Sequence, residues 1–104
     1  MQRVFILAAM AVLAACGGGG VSGTVGEACI DADRRNASPA LCSCVQQVAN
    51  QTLSSRDQAR AAAFFAEPQL AQDTRQSDRR SDEAFWDRYK IFSDAARRQC
   101  QSVA

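Results

Sequence analysis

The sequence contains no histidine, and this absence removes the side chain that most often serves as a general base or a metal ligand near neutral pH. It also lacks a nucleophile elbow and a glycine-rich phosphate loop followed by a basic residue. Acidic side chains are present, but they are interleaved with arginines, a pattern typical of solvated ion pairs on helix surfaces. These absences argue against an enzyme, and neither a cofactor nor a metal site is expected.

A strong charge of one sign and a strand-like pattern are also missing. Twelve Lys and Arg residues face eleven Asp and Glu residues. A nucleic-acid partner is therefore not expected, because such proteins need a basic field. No stretch alternates apolar with polar residues, so the sequence predicts no strands.

The first apolar run, residues 4–13, is too short to span a membrane, which takes about 20 residues. It follows Arg3 and has the length of a signal-peptide core. It ends in Leu13-Ala14-Ala15-Cys16, a tetrapeptide that resembles the lipobox of bacterial lipoproteins. The resemblance implies removal of the first fifteen residues and acylation of Cys16 on its sulfur and its new amine. An ordinary secretory signal cleaved nearby is the alternative.

Residue 17 is glycine rather than aspartate. By resemblance to lipoprotein sorting in Gram-negative cells, this favours the periplasmic side of the outer membrane over the inner membrane. The expected organisation is a signal peptide at 1–15, a lipid-anchored, glycine-rich flexible tether at 16–26 and a helical domain at 27–104. The tether would hold the folded domain away from the membrane surface.

The central helix of this domain is predicted to begin after Ser38, which can accept a hydrogen bond from the first turn. Pro39 then occupies the first helical position, where its missing N–H costs nothing. An apolar stripe with helical spacing follows, made of Leu41, Val45 and Val48, and the helix is expected to end near residue 52 or 53.

Three further helical segments complete the prediction. A first helix is expected over 27–36, and a third from the cap Ser54 to residue 66, where Glu67-Pro68 ends it or kinks it into 69–75. A last helix is expected from the cap Ser81 to Cys100. The predicted fold is an all-α, disulfide-linked bundle of about four helices.

Five cysteines are present, and four remain if Cys16 carries lipid: Cys29, Cys42, Cys44 and Cys100. An even number in a short exported domain indicates disulfides. At about 100° per residue, Cys42 and Cys44 lie roughly 200° apart around their helix, which disfavours a bond between them. Two connectivities stay open, 29–42 with 44–100, or 29–44 with 42–100. A four-cysteine zinc site fits the spacing poorly.

The last helix carries an aromatic stripe that includes Trp86 and Tyr89. Such a stripe is most often core, with Trp86 partly buried. The functional alternative is a small-molecule site in which nearby acids and these two rings hold a guanidinium group.

Several stretches together resemble a small uncharacterised family of exported bacterial proteins, sometimes labelled "arginine transporter". They are 42–46, 66–73, 75–80 and 85–90. The mature chain has no spanning segment, so the resemblance implies at most an accessory role in uptake.

The sequence therefore favours a non-enzymatic lipoprotein that is anchored to the membrane and contacts other envelope proteins as an adaptor or structural component. Accessory binding of a solute, such as arginine, for a transporter is one alternative. Thiol redox or metal handling through Cys42 and Cys44 is another.

Overall fold

The computed structural model describes residues 21–32 and 37–103, and within these ranges every regular element is helical. The elements are α1 (Thr24–Asp31), α2 (Pro39–Thr52), α3 (Ser55–Ala66), α4 (Gln69–Arg75) and α5 (Arg80–Cys100), followed by a 3-10 turn, Gln101–Val103. The all-α prediction is confirmed. None of these helices is long and apolar enough to cross a membrane.

The fifth helix arises at Pro68, which separates α3 from α4. Proline disfavours a helical conformation at the residue before it, and Glu67 accordingly has φ −135° and ψ 86°. The backbone N–H of Leu70 then donates to the carbonyl of Glu67 (2.9 Å) and starts the new helix. About four helices were expected because the sequence left a kink or a break open at this point.

Two of the three predicted helix caps are confirmed. The hydroxyl of Ser38 accepts from the N–H of Leu41 and that of Ser54 accepts from the N–H of Asp57, both at 3.1 Å. The prediction for Ser81 is wrong, because α5 begins at Arg80 with Arg79 in the cap position.

A serine further upstream organises the start of α5. The hydroxyl of Ser77 donates to a carboxylate oxygen of Asp82 (2.7 Å) and accepts from the N–H of Arg79 (3.1 Å). These two hydrogen bonds hold the backbone before α5 close to Asp82, and the helix begins at Arg80, before residue 81.

The first helix was expected at 27–36, but α1 occupies Thr24–Asp31 and is followed by Ala32 as its cap residue. Val25 and Gly26, which the sequence analysis placed in the tether, are buried. The folded region therefore starts before residue 27. The signal peptide, Cys16 and the first part of the tether lie outside the described residues, as do residues 33–36.

The helices enclose one core. α2 packs against α1 and α5, α1 packs against α3, and α4 packs against α3 and α5. The buried cluster at the centre consists of Val25, Val48, Ala49, Leu53, Ala61, Phe92, Ala95 and Cys100. Burial of each large apolar side chain contributes about 1.5–3 kcal/mol.

Two disulfides attach other helices to α2. Cys29 of α1 is bonded to Cys42, and Cys100 of α5 is bonded to Cys44, with Cα–Cα distances of 5.6 and 5.8 Å. The expectation that Cys42 and Cys44 point to different neighbours is confirmed. Of the two connectivities left open, the structure has 29–42 with 44–100, because α1 lies beside Cys42 and α5 beside Cys44.

A buried glutamine fixes the start of α1. Gln46 of α2 accepts from the N–H of Gly26 (2.7 Å) and donates to Asn50 and Gln58, both at 2.8 Å. Because Gly23 occupies the cap position of α1 and has no side chain, Gln46 satisfies one of the unpaired N–H groups of the first turn. The sequence analysis did not identify this network.

Candidate functional site

Aromatic side chains from α3 and α5 form a cluster that extends from the core to the surface of the described chain. The aromatic cluster consists of Phe64, Phe85, Trp86, Tyr89 and Phe92. Phe85 and Phe92 are buried, as expected of core residues, whereas Trp86 and Tyr89 are half-buried. The Trp86 and Tyr89 rings stack with centroids 5.2 Å apart, and Tyr89 meets Phe64 edge-on at 4.9 Å. The stacked rings of Trp86 and Tyr89 thus lie at the edge of the core, where it meets the surface.

A small open pocket lies beside Tyr89. It has a volume of about 190 Å³ and is lined by Phe64, Phe65, Pro68, Ala71 and Tyr89. We call it the Tyr89 pocket. Small-molecule sites typically enclose roughly 300–1,000 Å³, so this pocket is below their usual size. The side chains that line it are apolar apart from the Tyr89 phenol, and none is charged, so a single large apolar side chain is a better match for it than a charged metabolite.

A second, wider groove lies between α2 and α5. Its volume is about 380 Å³, and its walls are Leu41, Val45, Ser93, Ala96, Arg97, Cys100 and Gln101. Tyr89 and Ser93 are four residues apart on α5, so the Tyr89 pocket and this groove occupy successive turns of one helix face. The groove walls contain no acidic residue, and its size alone does not make it a site for a cation.

Asp57 and Arg88 join α3 to α5 with two hydrogen bonds. Nε and Nη2 of Arg88 donate to the two carboxylate oxygens of Asp57 at 2.5 and 3.1 Å. The hydrogen bonds from Arg88 hold the pKa of Asp57 below its usual value of 3.8, although burial opposes this effect. Asp57 is therefore ionised at neutral pH and already paired with Arg88 of the same chain.

A second charged contact lies against the Phe85 ring. Arg60 donates to Asp82 at 3.0 Å, and its guanidinium carbon lies 4.2 Å from the centre of the Phe85 ring. The hydrogen bond from Ser77 is the main cause of a lowered pKa at Asp82, and Arg60 adds to it. These contacts have the chemistry that the sequence analysis assigned to a bound arginine, but residues of this chain provide both partners.

Burial raises the pKa of the Tyr89 phenol above its usual value of 10.0. Tyr89 is therefore protonated at neutral pH and is available as a hydrogen-bond donor or a packing surface, not as a base. This agrees with a contact role for the residue.

The predicted cysteine sites divide into two groups. Cys16 lies outside the described residues, and its acylation stays a prediction. Cys29, Cys42 and Cys100 are buried, with Cys42 at 0% exposure, and Cys44 is half-buried. Thiol exchange requires access to a sulfur, which three of the four bonded residues do not offer. Among the described residues, no group of three or more metal-binding side chains comes together.

The sequence analysis missed the ion pair between Asp57 and Arg88 for a clear reason. The two residues are 31 positions apart, and no local rule connects them. An interleaved charge pattern shows that pairs will form, but the partner of each charge depends on how the helices pack.

Comparisons with models of protein families, with curated proteins and with solved structures find no match to this chain.

Proposed function

We propose that this chain is a lipid-anchored, non-enzymatic protein of the bacterial cell envelope that acts through contacts with other envelope proteins. The observation that carries the proposal is the pair of disulfides in a small helical domain that follows a lipobox-like tetrapeptide. Stable disulfides form in oxidising compartments, and the periplasm is one of them. Attachment on the periplasmic side of the outer membrane is the location that this proposal favours.

Lipid attachment explains why a small domain would need no spanning helix to stay at a membrane. One acyl chain gives only marginal, reversible binding, whereas two or more give stable anchoring. The acylated Cys16 would provide these chains.

The surface best suited to a protein partner is the Tyr89 pocket together with Trp86, whose ring stacks on that of Tyr89. Tryptophan and tyrosine are enriched among the residues that dominate protein interfaces. Two ion pairs, Asp57 with Arg88 and Asp82 with Arg60, join α3 to α5 beside these rings and favour their arrangement before a partner binds. The proposed occupant is one large apolar side chain of an envelope protein.

The anchor is tested by the intact mass of the protein purified from native membranes. The mass should begin at Cys16, include its lipid and show no alkylation of the four other cysteines under non-reducing conditions. The matched control is Cys16→Ser, which should lose both the lipid and the membrane association. A chain without lipid, or one with alkylated cysteines, would contradict the proposal.

The contact surface is tested in living cells with a photo-crosslinking amino acid in place of Trp86. A specific protein adduct should form on irradiation. The control carries the same group at Ala59, which is exposed on α3 outside the Tyr89 pocket. No adduct from Trp86, or the same adducts from both positions, would remove the pocket from the proposal.

Accessory binding of arginine is the second candidate, and the stacked Trp86–Tyr89 pair is the observation that favours it. It ranks lower because Asp57 and Asp82 already pair with arginines of the chain. Calorimetry with arginine and the folded domain decides it, since heat that saturates and disappears in Trp86→Ala would support this role.

Thiol redox or metal handling through Cys42 and Cys44 ranks third, because both residues are bonded to other helices. Mild reduction followed by alkylation tests it. Rapid, selective opening of one disulfide with the fold retained would favour a redox role.

A further inference from the structure

The lipid anchor and the start of the folded chain are close neighbours in the sequence. If Cys16 is acylated, as proposed above, only five peptide units separate it from Val21. A fully extended chain of that length reaches about 18 Å, and a flexible glycine-rich one averages about 12 Å. The latter distance is about the diameter of a single helix.

Val21 is not free to move away from the bundle. Its side chain lies against Gly26, where an added Cβ atom would be 2.7 Å from a Val21 methyl group. Gly26 in turn donates its N–H to Gln46 of α2. The chain therefore leaves the folded domain at the start of α1, where α1 contacts Gln46 of α2.

The exposed surface of α2 differs from the rest of the domain in charge. No charged residue occurs from Ala37 to Ser55. Residues 56–98 carry seventeen of the twenty-three charged residues of the chain. We use the name α2 outer surface for the exposed residues Ala40, Gln47, Asn50 and Gln51.

We infer that the α2 outer surface lies against the lipid bilayer that carries the anchor. The short link brings the start of α1 to the membrane, and the α2 outer surface beside it can approach lipid headgroups without desolvating a charged side chain of α2. Most of the charged residues, on α3, α4 and α5, then stay in water. The inference rests on the proposed lipid anchor and replaces the expectation that a flexible tether at 16–26 holds the domain away from the membrane.

The experiment uses the full acylated chain in vesicles of phosphatidylethanolamine and phosphatidylglycerol. A fluorescent label is attached at Gln47→Cys on α2 or, as the matched control, at Ala59→Cys on α3. Lipids with a nitroxide near the headgroup quench a label that lies close to the bilayer. The label at residue 47 should be quenched several-fold more strongly than the label at residue 59. Equal quenching, or stronger quenching at residue 59, would overturn the inference.

A second variant tests the role of the link. A long glycine–serine insertion after Gly20 should reduce quenching at residue 47 towards the level at residue 59. If the difference in quenching between the two labels persists, the short link does not bring the α2 outer surface to the bilayer, and that step of the inference is overturned. A chain that lacks lipid by mass, and therefore does not bind the vesicles, contradicts the proposed function instead. The two failures are thus distinguishable.

Discussion

Two regions of the molecule hold their helices together by different means. The disulfide-linked region consists of α1, α2 and the last turn of α5, and it contains both disulfides and the hydrogen bonds of Gln46. The ion-paired region consists of α3, α4 and the first half of α5, and it contains the aromatic cluster apart from Phe92, with the ion pairs of Asp57 and Asp82. Within the described residues, no large aromatic side chain lies in α1 or α2.

This difference reflects how much apolar surface each region can bury. The inward side chains of α2 are small or medium in size, such as Val48 and Ala49. The aromatic side chains of α5 bury much larger areas, and ion pairs at their edges add orientation more than stability. In a domain this small, a hydrophobic core alone is marginal, and covalent links add to its stability.

The largest expected effect comes from removing the Cys44–Cys100 disulfide. This bond links residues 56 positions apart, whereas Cys29–Cys42 links residues 13 apart. In the chain-entropy model, the longer link contributes about 4 kcal/mol to the free energy of unfolding and the shorter about 3 kcal/mol. Urea unfolding of the Cys44→Ala, Cys100→Ala double variant measures the first value.

The double variant Cys29→Ala, Cys42→Ala is its matched control. If the shorter link proves the more stabilising, loop length does not govern the disulfide-linked region, and packing of the individual cysteines would have to explain its stability.

The next effect concerns the glycine that starts α1. Gly23 has φ +99°, and an added Cβ atom would lie 2.4 Å from Cδ of Gln46. Gly23→Ala should therefore reduce the free energy of unfolding by about 2 kcal/mol, because the backbone is strained and Gln46 must move. Thermal or urea unfolding measures it. Ser22→Ala, at an exposed neighbouring position, should change stability by less than about 0.5 kcal/mol. Similar values for both variants would show that the start of α1 contributes little to the fold.

Helix caps allow a comparison between the two regions on equal terms. Ser38→Ala at the start of α2 and Ser54→Ala at the start of α3 should each cost about 1 kcal/mol, because each removes one hydrogen bond to a backbone N–H. Ser81→Ala is the control, and it should stay within about 0.5 kcal/mol because Ser81 is an exposed residue that does not cap α5. A loss at Ser81 equal to the losses at the caps would contradict the observed start of α5.

The smallest effect is the acid dependence of the ion-paired region. The pKa of Asp57 is lower in the folded chain than its usual value of 3.8, so the unfolded chain takes up a proton first as the pH falls. The stabilisation by Asp57 is complete above the unfolded pKa of 3.8 and is lost as the pH falls through the lower pKa of the folded chain. Asp57→Asn should make stability less dependent on pH below about 4.

Circular dichroism during acid titration, at several urea concentrations, measures this dependence. An unchanged dependence in the variant would show that Asp57 gains nothing from Arg88. The effect should be small because half of the Arg88 side chain is exposed to water.

Much of the local structure follows from short-range rules that act within one helical turn. Ser38 and Ser54 cap their helices as predicted. Pro68 separates α3 from α4, because proline disfavours a helical conformation at the residue before it. Ser81 shows the limit of such rules. Its sequence context is favourable, but the hydrogen bonds of Ser77 and the ion pair of Asp82 with Arg60 begin the helix earlier.

The candidate site was predictable only in part. The helical spacing of Phe85, Tyr89 and Phe92 identified the aromatic face of α5, and the core role of Phe85 and Phe92 is confirmed. The Tyr89 pocket also needs Pro68 and Ala71, which follow the break after α3. No periodicity in the sequence brings these residues together.

The sequence by itself determined that the domain is helical and that Cys42 and Cys44 bond to different helices, because both follow from the geometry of a single helix. Only the tertiary structure decided that Cys42 pairs with Cys29, that Arg88 pairs with Asp57 and that the folded chain begins before residue 27. These features depend on which helix lies on which side of α2, and that choice is set by the packing of the whole core.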